Sequence, residues 1–231
     1  MHEPPPILRS HAPLRHQVLD YLRQGIISGR LAPGARLVER ELIEMMQVSR
    51  TVIREALRQL ETEGLVASVA NKGPVVRELT VAEAKDLYAI RGVLMGLAAR
   101  FFVQNADAAA IAKLREALDQ TVRCYKAGDP ALIIEAKNRF YDVLVDGAGS
   151  ESLSTMIAIL HARIARWRAL GLSHPKRSPA RARESIDGLR AMFAAIKDGD
   201  VGKAESLARE ETTHAAAEVI QLVAEKNTEA K

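Results

Sequence analysis

From Leu79 onward the chain is Ala- and Leu-rich, with apolar residues at helical spacing and almost no run that alternates as a strand does. Such a stretch folds as packed helices. We read six, at roughly 81–105, 108–127, 130–147, 151–171, 179–198 and 201–226. Their starts carry recognisable chemistry. Thr80-Val81-Ala82-Glu83 is a capping box, in which a hydroxyl and a carboxylate satisfy the free amides of a first turn. Asp107, Asp129 before Pro130, Ser150, Ser178 before Pro179, and Asp200 are further N-cap candidates. Short connections predict an antiparallel bundle of six or seven helices over 79–231.

The residues before Leu79 read differently. Leu14, Val18, Tyr21, Leu22 and Ile26 recur every three or four positions, which predicts a helix to Ser28, stopped by Gly29. After a Pro33-Gly34 turn, Glu39–Met46 reads as a short helix and Ser49 opens another. Two β-prone runs follow, Leu65–Val69 and Pro74–Arg77, separated by the turn residues Ala70-Asn71-Lys72-Gly73. The expected fold is therefore mainly α, with a winged helix-turn-helix and small β-hairpin wing over 14–78. Residues 1–13, with four prolines, read as a flexible arm.

Composition enters mainly by exclusion. With 231 residues, 48% hydrophobic and 27% charged, the chain is neither collagen-like nor wholly disordered. No stretch approaches the roughly 18 consecutive apolar residues of a membrane helix, and MHEPPPILRSHAP lacks a signal peptide's apolar core. A cytoplasmic protein without membrane association is expected. Cys124, the one cysteine, makes no internal disulfide. No zinc-spaced Cys/His cluster, phosphate loop, nucleophile elbow, HExxH or carboxylate pair appears, so neither an enzyme nor a cofactor is expected. A net charge of +4, shared evenly across Leu79, says little about nucleic acid, and placement must decide.

Placement does so in Ser49–Leu65. Ile53, Ala56, Leu57 and Leu60 define an inward face, while Arg50, Arg54 and Arg58, at i, i+4 and i+8, form a second stripe about 100° away. A recognition helix needs this division, since arginine reads guanine edges in pairs of hydrogen bonds or neutralises phosphates. The stripe alone also fits a surface helix whose arginines pair with Glu55, Glu61 and Glu63. The preceding short helix and following wing favour double-stranded DNA.

The stretch from Ile27 to about Val76 also resembles the winged helix-turn-helix of the GntR regulators. Gly29, Pro33-Gly34, Leu37, Glu39, Leu42, Ser49-Arg50-Thr51, Arg54-Glu55-Ala56-Leu57, Leu60 and Glu63-Gly64-Leu65 all fall in that family's register. The helical remainder is similar to the ligand-binding domain of the FadR subfamily, through weaker motifs at Ala89 (AIRGVL) and Ala195 (AIKDGD). The resemblance implies that Arg40, Ser49, Arg50, Thr51 and Arg54 contact DNA and that Gly73 marks a wing tip entering the minor groove. Lys72 is added beside it on its charge. It further implies a homodimer on an inverted-repeat operator, acting as a repressor, with a helical domain that serves dimerisation and binds an effector resetting the two DNA heads.

On a helical wheel, four helices of that domain each carry a charge inside an apolar stripe. Arg91 falls among Leu87, Leu94, Ala98 and Phe101, and Lys137 among Ile133, Phe140 and Leu144 with Tyr141 at the edge. Arg163 falls with Met156, Leu160 and Trp167, and Glu211 with Ala204, Ala208, Ala215 and Leu222. Three cations and one carboxylate leave positive charge that a small organic anion could neutralise. Two blander outcomes stay open: long side chains can snorkel outward, and the charges can pair among themselves, for example Lys137 with Glu211.

Many FadR-type proteins hold a divalent metal with an Asp and a His four residues apart, plus a His on each of the last two helices. By that resemblance the corresponding positions here are Lys137, Tyr141, Leu189 and Glu211. A cation in place of the Asp implies a pocket without that metal, in which Lys137 takes part of its electrostatic role. Lys137 and Tyr141 then donate to an anionic ligand, with Arg91 or Arg163 as a bidentate grip. His161 and His214 match no metal position and read as solvated or hydrogen-bonded helix residues. The alternative is a DNA-binding regulator with no small-molecule effector, whose helical domain serves dimerisation alone.

Overall fold

The computed structural model describes residues 12–78, 80–173 and 179–229. Of the arm expected over 1–13, residues 1–11 lie outside them, as does Ser178 as a cap, while Ala12 and Pro13 belong to the first helix. The chain divides into two units, 1–78 and 79–231.

In the first unit α1 (Ala12–Ser28), α2 (Glu39–Met46) and α3 (Arg50–Thr62) precede β1 (Val66–Val69) and β2 (Gly73–Val76). Helix α1 starts before Leu14, with Pro13 in its first turn, where the missing amide costs nothing. Val18, Leu19, Leu22 and Ile26 are its buried face, whereas Leu14 and Tyr21 are exposed. Tyr21 instead lies under the Arg30 guanidinium, 4.2 Å from its ring centroid. Ile53, Ala56, Leu57 and Leu60 of α3 are all buried, as the inward face requires, and meet Leu22, Leu37, Leu42 and Val76 in one core.

The hairpin is antiparallel, Val66 opposite Val76 and Val69 opposite Gly73. It also has an edge partner that the sequence pattern does not announce. Arg36 bridges Val75, and the Leu37 amide donates to the Pro74 carbonyl at 2.8 Å, so the segment after the Pro-Gly turn lies against β2. One bridge is too short to show a period of two.

The second unit holds α4 (Val81–Asn105), α5 (Ala108–Ala127), α6 (Pro130–Gly147), α7 (Glu151–Ser173), α8 (Pro179–Lys197) and α9 (Val201–Glu229). Thr80 and Glu83 close the capping box, and Asp107, Asp129, Ser150 and Asp200 each accept from an amide of the following turn. α4 and α9 share the most extensive packing, with α6 and α7 also against α4. Phe102, Phe140, Leu144, Leu189 and Met192 fill the main core. At Gly147 an added Cβ would come within 2.2 Å of the Phe102 ring, so α6 approaches α4 through a missing side chain. Helix α7 turns differently from its wheel placement: Met156 is exposed, while Leu153, Ile157, Leu160, Ile164 and Trp167 are buried.

Candidate nucleic-acid interface and effector site

The N-terminus of α3 is set by Ser49, whose hydroxyl accepts from the Val52 amide. With the apolar face held in the core, Arg50, Thr51, Arg54 and Arg58 are all exposed. The acidic residues around them are divided among other tasks. Glu63 binds Arg23 of α1 at 2.8 Å, and Glu61 accepts from the Ser68 amide of the hairpin. Only Glu55 pairs within α3, with Arg58 at 3.1 Å. Arg54 reaches α2, where its Nε donates to both carboxylate oxygens of Glu39 at 3.1 and 3.0 Å. Arg40 lies 3.8 Å from Glu44, both well exposed. Arg50 and Lys72 have no ion pair among the described residues, and both are exposed.

At the wing tip Asn71 and Gly73 have φ of 64° and 77°, the left-handed geometry of a tight turn. Nothing lies within 4 Å of a Cβ added at Gly73, so backbone geometry, not crowding, accounts for the glycine. A groove between α3 and the hairpin is bordered by Glu39, Arg54, Arg58, Glu61 and Ser68. Arg40, Ser49, Arg50, Thr51, Arg54, Lys72 and Gly73 thus all belong to one unit, on α2, the first turns of α3 and the hairpin tip. The roles of Glu39 and Glu61 escaped the sequence reading, because a carboxylate beside arginines gives no sign of which one it holds.

In the second unit Arg91, Lys137 and Glu211 are buried, as their stripes require. Lys137 Nζ donates to Glu211 Oε1 at 2.8 Å and to Ser185 Oγ at 2.9 Å, and Ser185 Oγ donates to the same carboxylate oxygen. The Tyr125 hydroxyl donates to Ser185, and Arg181 lies 3.9 Å from Glu211. Burial disfavours the Lys137 charge, but the Glu211 carboxylate outweighs it and holds the lysine pKa above its ordinary value. Burial disfavours the Glu211 charge too, and Lys137, Ser185 and Arg181 hold its pKa below the usual range. The self-paired outcome is the one found for these two residues.

Arg91 is placed otherwise. Its Nε donates to His161 Nε2 at 3.1 Å, one terminal nitrogen lies 3.5 Å from Thr212 Oγ1, and the guanidinium stands 5.1 Å from the Tyr141 ring centroid. All three partners are neutral. Burial, then Arg168 and Arg91, pushes the His161 pKa down to about 2, so the imidazole accepts from Arg91 without a charge of its own. Arg168, from α7, donates to Asn138 Oδ1 at 2.7 Å and forms no ion pair among the described residues. Burial, then Arg91, lowers its pKa to about 10, which leaves it cationic at neutral pH.

Arg163, the cation expected from α7, is half-buried, and among the described residues its Nε has no hydrogen-bond partner. Leu189 is wholly buried in the apolar core. Sequence reasoning missed Arg168, Ser185, Arg181 and Tyr88. Arg168 lies seven residues beyond His161, two helical turns along the same face, and that spacing was the available signal.

These residues do not fit the divalent metal implied by the FadR resemblance. Leu189 offers no donor, Lys137 is a cation, and Glu211 is already taken by that cation. No group of three or more His, Cys, Asp or Glu residues among the described residues could hold a metal ion. Nor, among them, is any helix long and apolar enough to cross a membrane.

An arginine-faced helix held between a short helix and a β-hairpin, joined in sequence to a helical unit with buried charge, defines a winged helix-turn-helix transcription regulator. The model for bacterial regulatory proteins of the gntR family matches residues 14–76, that for the FCD domain matches 86–213, and the chain belongs to this family. It is similar to the HTH-type transcriptional regulator McbR of Escherichia coli, 28% identical over 211 residues and 91% of each chain. The solved McbR structure superposes with a TM-score of 0.76 at 26% identity, covering 91% of this chain and 98% of that one. An uncharacterized HTH-type regulator of Streptomyces ambofaciens is 32% identical over 84% of this chain and 80% of its own. A probable D-xylose utilization operon repressor of Paenarthrobacter nicotinovorans is 30% identical over 68% and 64%. The protein is a DNA-binding transcriptional regulator and not an enzyme.

Proposed function

We propose that the protein is a dimeric repressor of an inverted-repeat operator whose affinity is set by a small carboxylate-type anion, bound in the helical domain without a divalent metal. Arg50, Thr51 and Arg54 read the major groove, Arg40 and Ser49 contact the flanking backbone, and Lys72 and Gly73 follow the wing into the minor groove. The reading of repression leans on the D-xylose operon relative, described as a probable repressor. The effector reading rests on one observation above all: Arg91 is buried against His161, Thr212 and Tyr141, none of which carries a negative charge. A buried cation without a counter-ion costs several kcal/mol in principle, and an anionic ligand removes that cost.

A second reading has its own support. Lys137, Glu211 and Ser185 form a closed, satisfied network that needs no ligand, which suits a helical domain serving dimerisation alone. The test is operator binding by fluorescence anisotropy, on a site obtained by selection from random duplexes, titrated with metabolite carboxylates and separately with EDTA. The effector reading expects a carboxylate to shift operator affinity and EDTA to leave it unchanged. Indifference to every carboxylate favours the dimerisation reading, and sensitivity to EDTA overturns the metal-free one.

A further inference from the structure

Among the groups around Arg91, one is left unsatisfied. The Tyr88 hydroxyl is buried and has no hydrogen-bond partner among the described residues, although native proteins pair nearly all such atoms. Tyr88 lies one turn before Arg91 on α4, and the charges acting on it are Arg91, Arg168, Lys137 and Glu218. Burial holds the phenol in its protonated form, so the idle atom is a donor. Lys137 and Glu211 cancel each other, leaving Arg91 and Arg168 as cations with neutral partners. Asp142, the carboxylate acting on Arg168, is exposed and outside ion-pair distance. Tyr88 packs with Leu87, Leu160 and Ile164 in one buried aliphatic wall of the bundle interior.

Resting on the effector reading above, we propose that the acid group of the ligand is gripped by Arg91, Arg168 and the Tyr88 hydroxyl between α4, α6 and α7. Lys137 takes no part in this grip. The ligand class is a small carboxylate with an apolar body. Its two oxygens accept from the guanidinium groups and the phenol, and its body lies on the aliphatic wall. Glu211 stands permanently where a second acid group would have to meet Lys137, so a monocarboxylate is favoured over a dicarboxylate.

The test uses the full-length protein and calorimetric titration with benzoate, acetate, succinate and inorganic phosphate at millimolar concentrations. Wild-type protein should bind benzoate in preference to succinate. Arg168→Gln and Tyr88→Phe should each weaken benzoate by about tenfold or more, the loss of one charge-assisted hydrogen bond. Arg139→Gln, which removes an exposed cation of α6, should leave binding unchanged. Tyr88→Phe removes an atom that bonds nothing, so its melting temperature should not fall, which separates loss of binding from loss of fold. Three outcomes overturn the proposal. Benzoate binding that survives both variants but is lost in Lys137→Met moves the grip to Lys137 and leaves the effector reading standing. Preference for succinate or phosphate removes the monocarboxylate class. If none of the four anions binds, the carboxylate effector itself is overturned.

Discussion

Lys137 and Glu211 are the residues whose removal most sharply separates two kinds of cost. Removing Glu211 strips Lys137 of its carboxylate, and removing Lys137 leaves Glu211 only Ser185 and the more distant Arg181, so Lys137→Met or Glu211→Leu should lower stability by about 3–5 kcal/mol in chemical denaturation, whereas the double variant should come within about 1–2 kcal/mol of wild type. Additive losses would show that the two do not act as a pair. The pH dependence has a defined sign. Because the folded Glu211 pKa lies below its unfolded value, its contribution is fully present above about pH 5 and is lost as pH falls through the folded pKa. The raised Lys137 pKa keeps the pair intact through the alkaline range of ordinary lysine titration. The difference between wild type and Glu211→Gln should therefore shrink on acidification; a constant difference from neutral pH to pH 3 would contradict the pairing. The wheel made these two charges legible, because a long side chain inside an apolar stripe is conspicuous. It did not single out Arg168, because the stripe drawn on α7 ran through Met156, which the structure leaves exposed, nor could it say which cation Glu211 would choose.

At the scale of the element, α3 is the part most fully legible, since its inward face and its arginine stripe follow from spacing alone. What spacing could not supply is the division of the acids. Arg54 gives its Nε to Glu39, which leaves its two terminal nitrogens as a paired donor suited to guanine O6 and N7. Arg50→Ala and Arg54→Ala should each cost about 1–3 kcal/mol of specific binding, measured by anisotropy. Glu39→Gln should lower discrimination between operator and random duplex while raising affinity for both, because it loosens Arg54 and removes a charge that repels phosphate. Unchanged discrimination would release Glu39 from that role. In the helical unit the equivalent test is Gly147→Ala. Its Cβ has no room beside Phe102, so α6 must shift, at an expected cost of about 1–3 kcal/mol.

For the whole molecule, salt dependence can count DNA heads without any structure of a complex. Each phosphate contact by a cation contributes a slope of about −0.9 to the plot of log affinity against log salt. Lys72 is exposed, without an ion pair among the described residues, and sits at the wing tip, where a backbone contact gives affinity but little sequence information. Lys72→Ala should therefore weaken operator and random duplex by similar factors, unlike Arg54→Ala, whose loss should fall mainly on the operator. The size of the slope change carries the stoichiometry: about 0.9 if one copy engages the operator, and about 1.8 if two copies place equivalent wings on its half-sites. A dimer identified by sedimentation whose slope changes by only 0.9 would have one wing off the DNA, and the inverted-repeat reading would fail even though the protein binds specifically. A change near 1.8 that falls toward 0.9 in the presence of the effector would locate regulation in the engagement of the second head, which follows if anion binding in the helical domain acts on the pairing of heads and leaves the chemistry of α3 untouched.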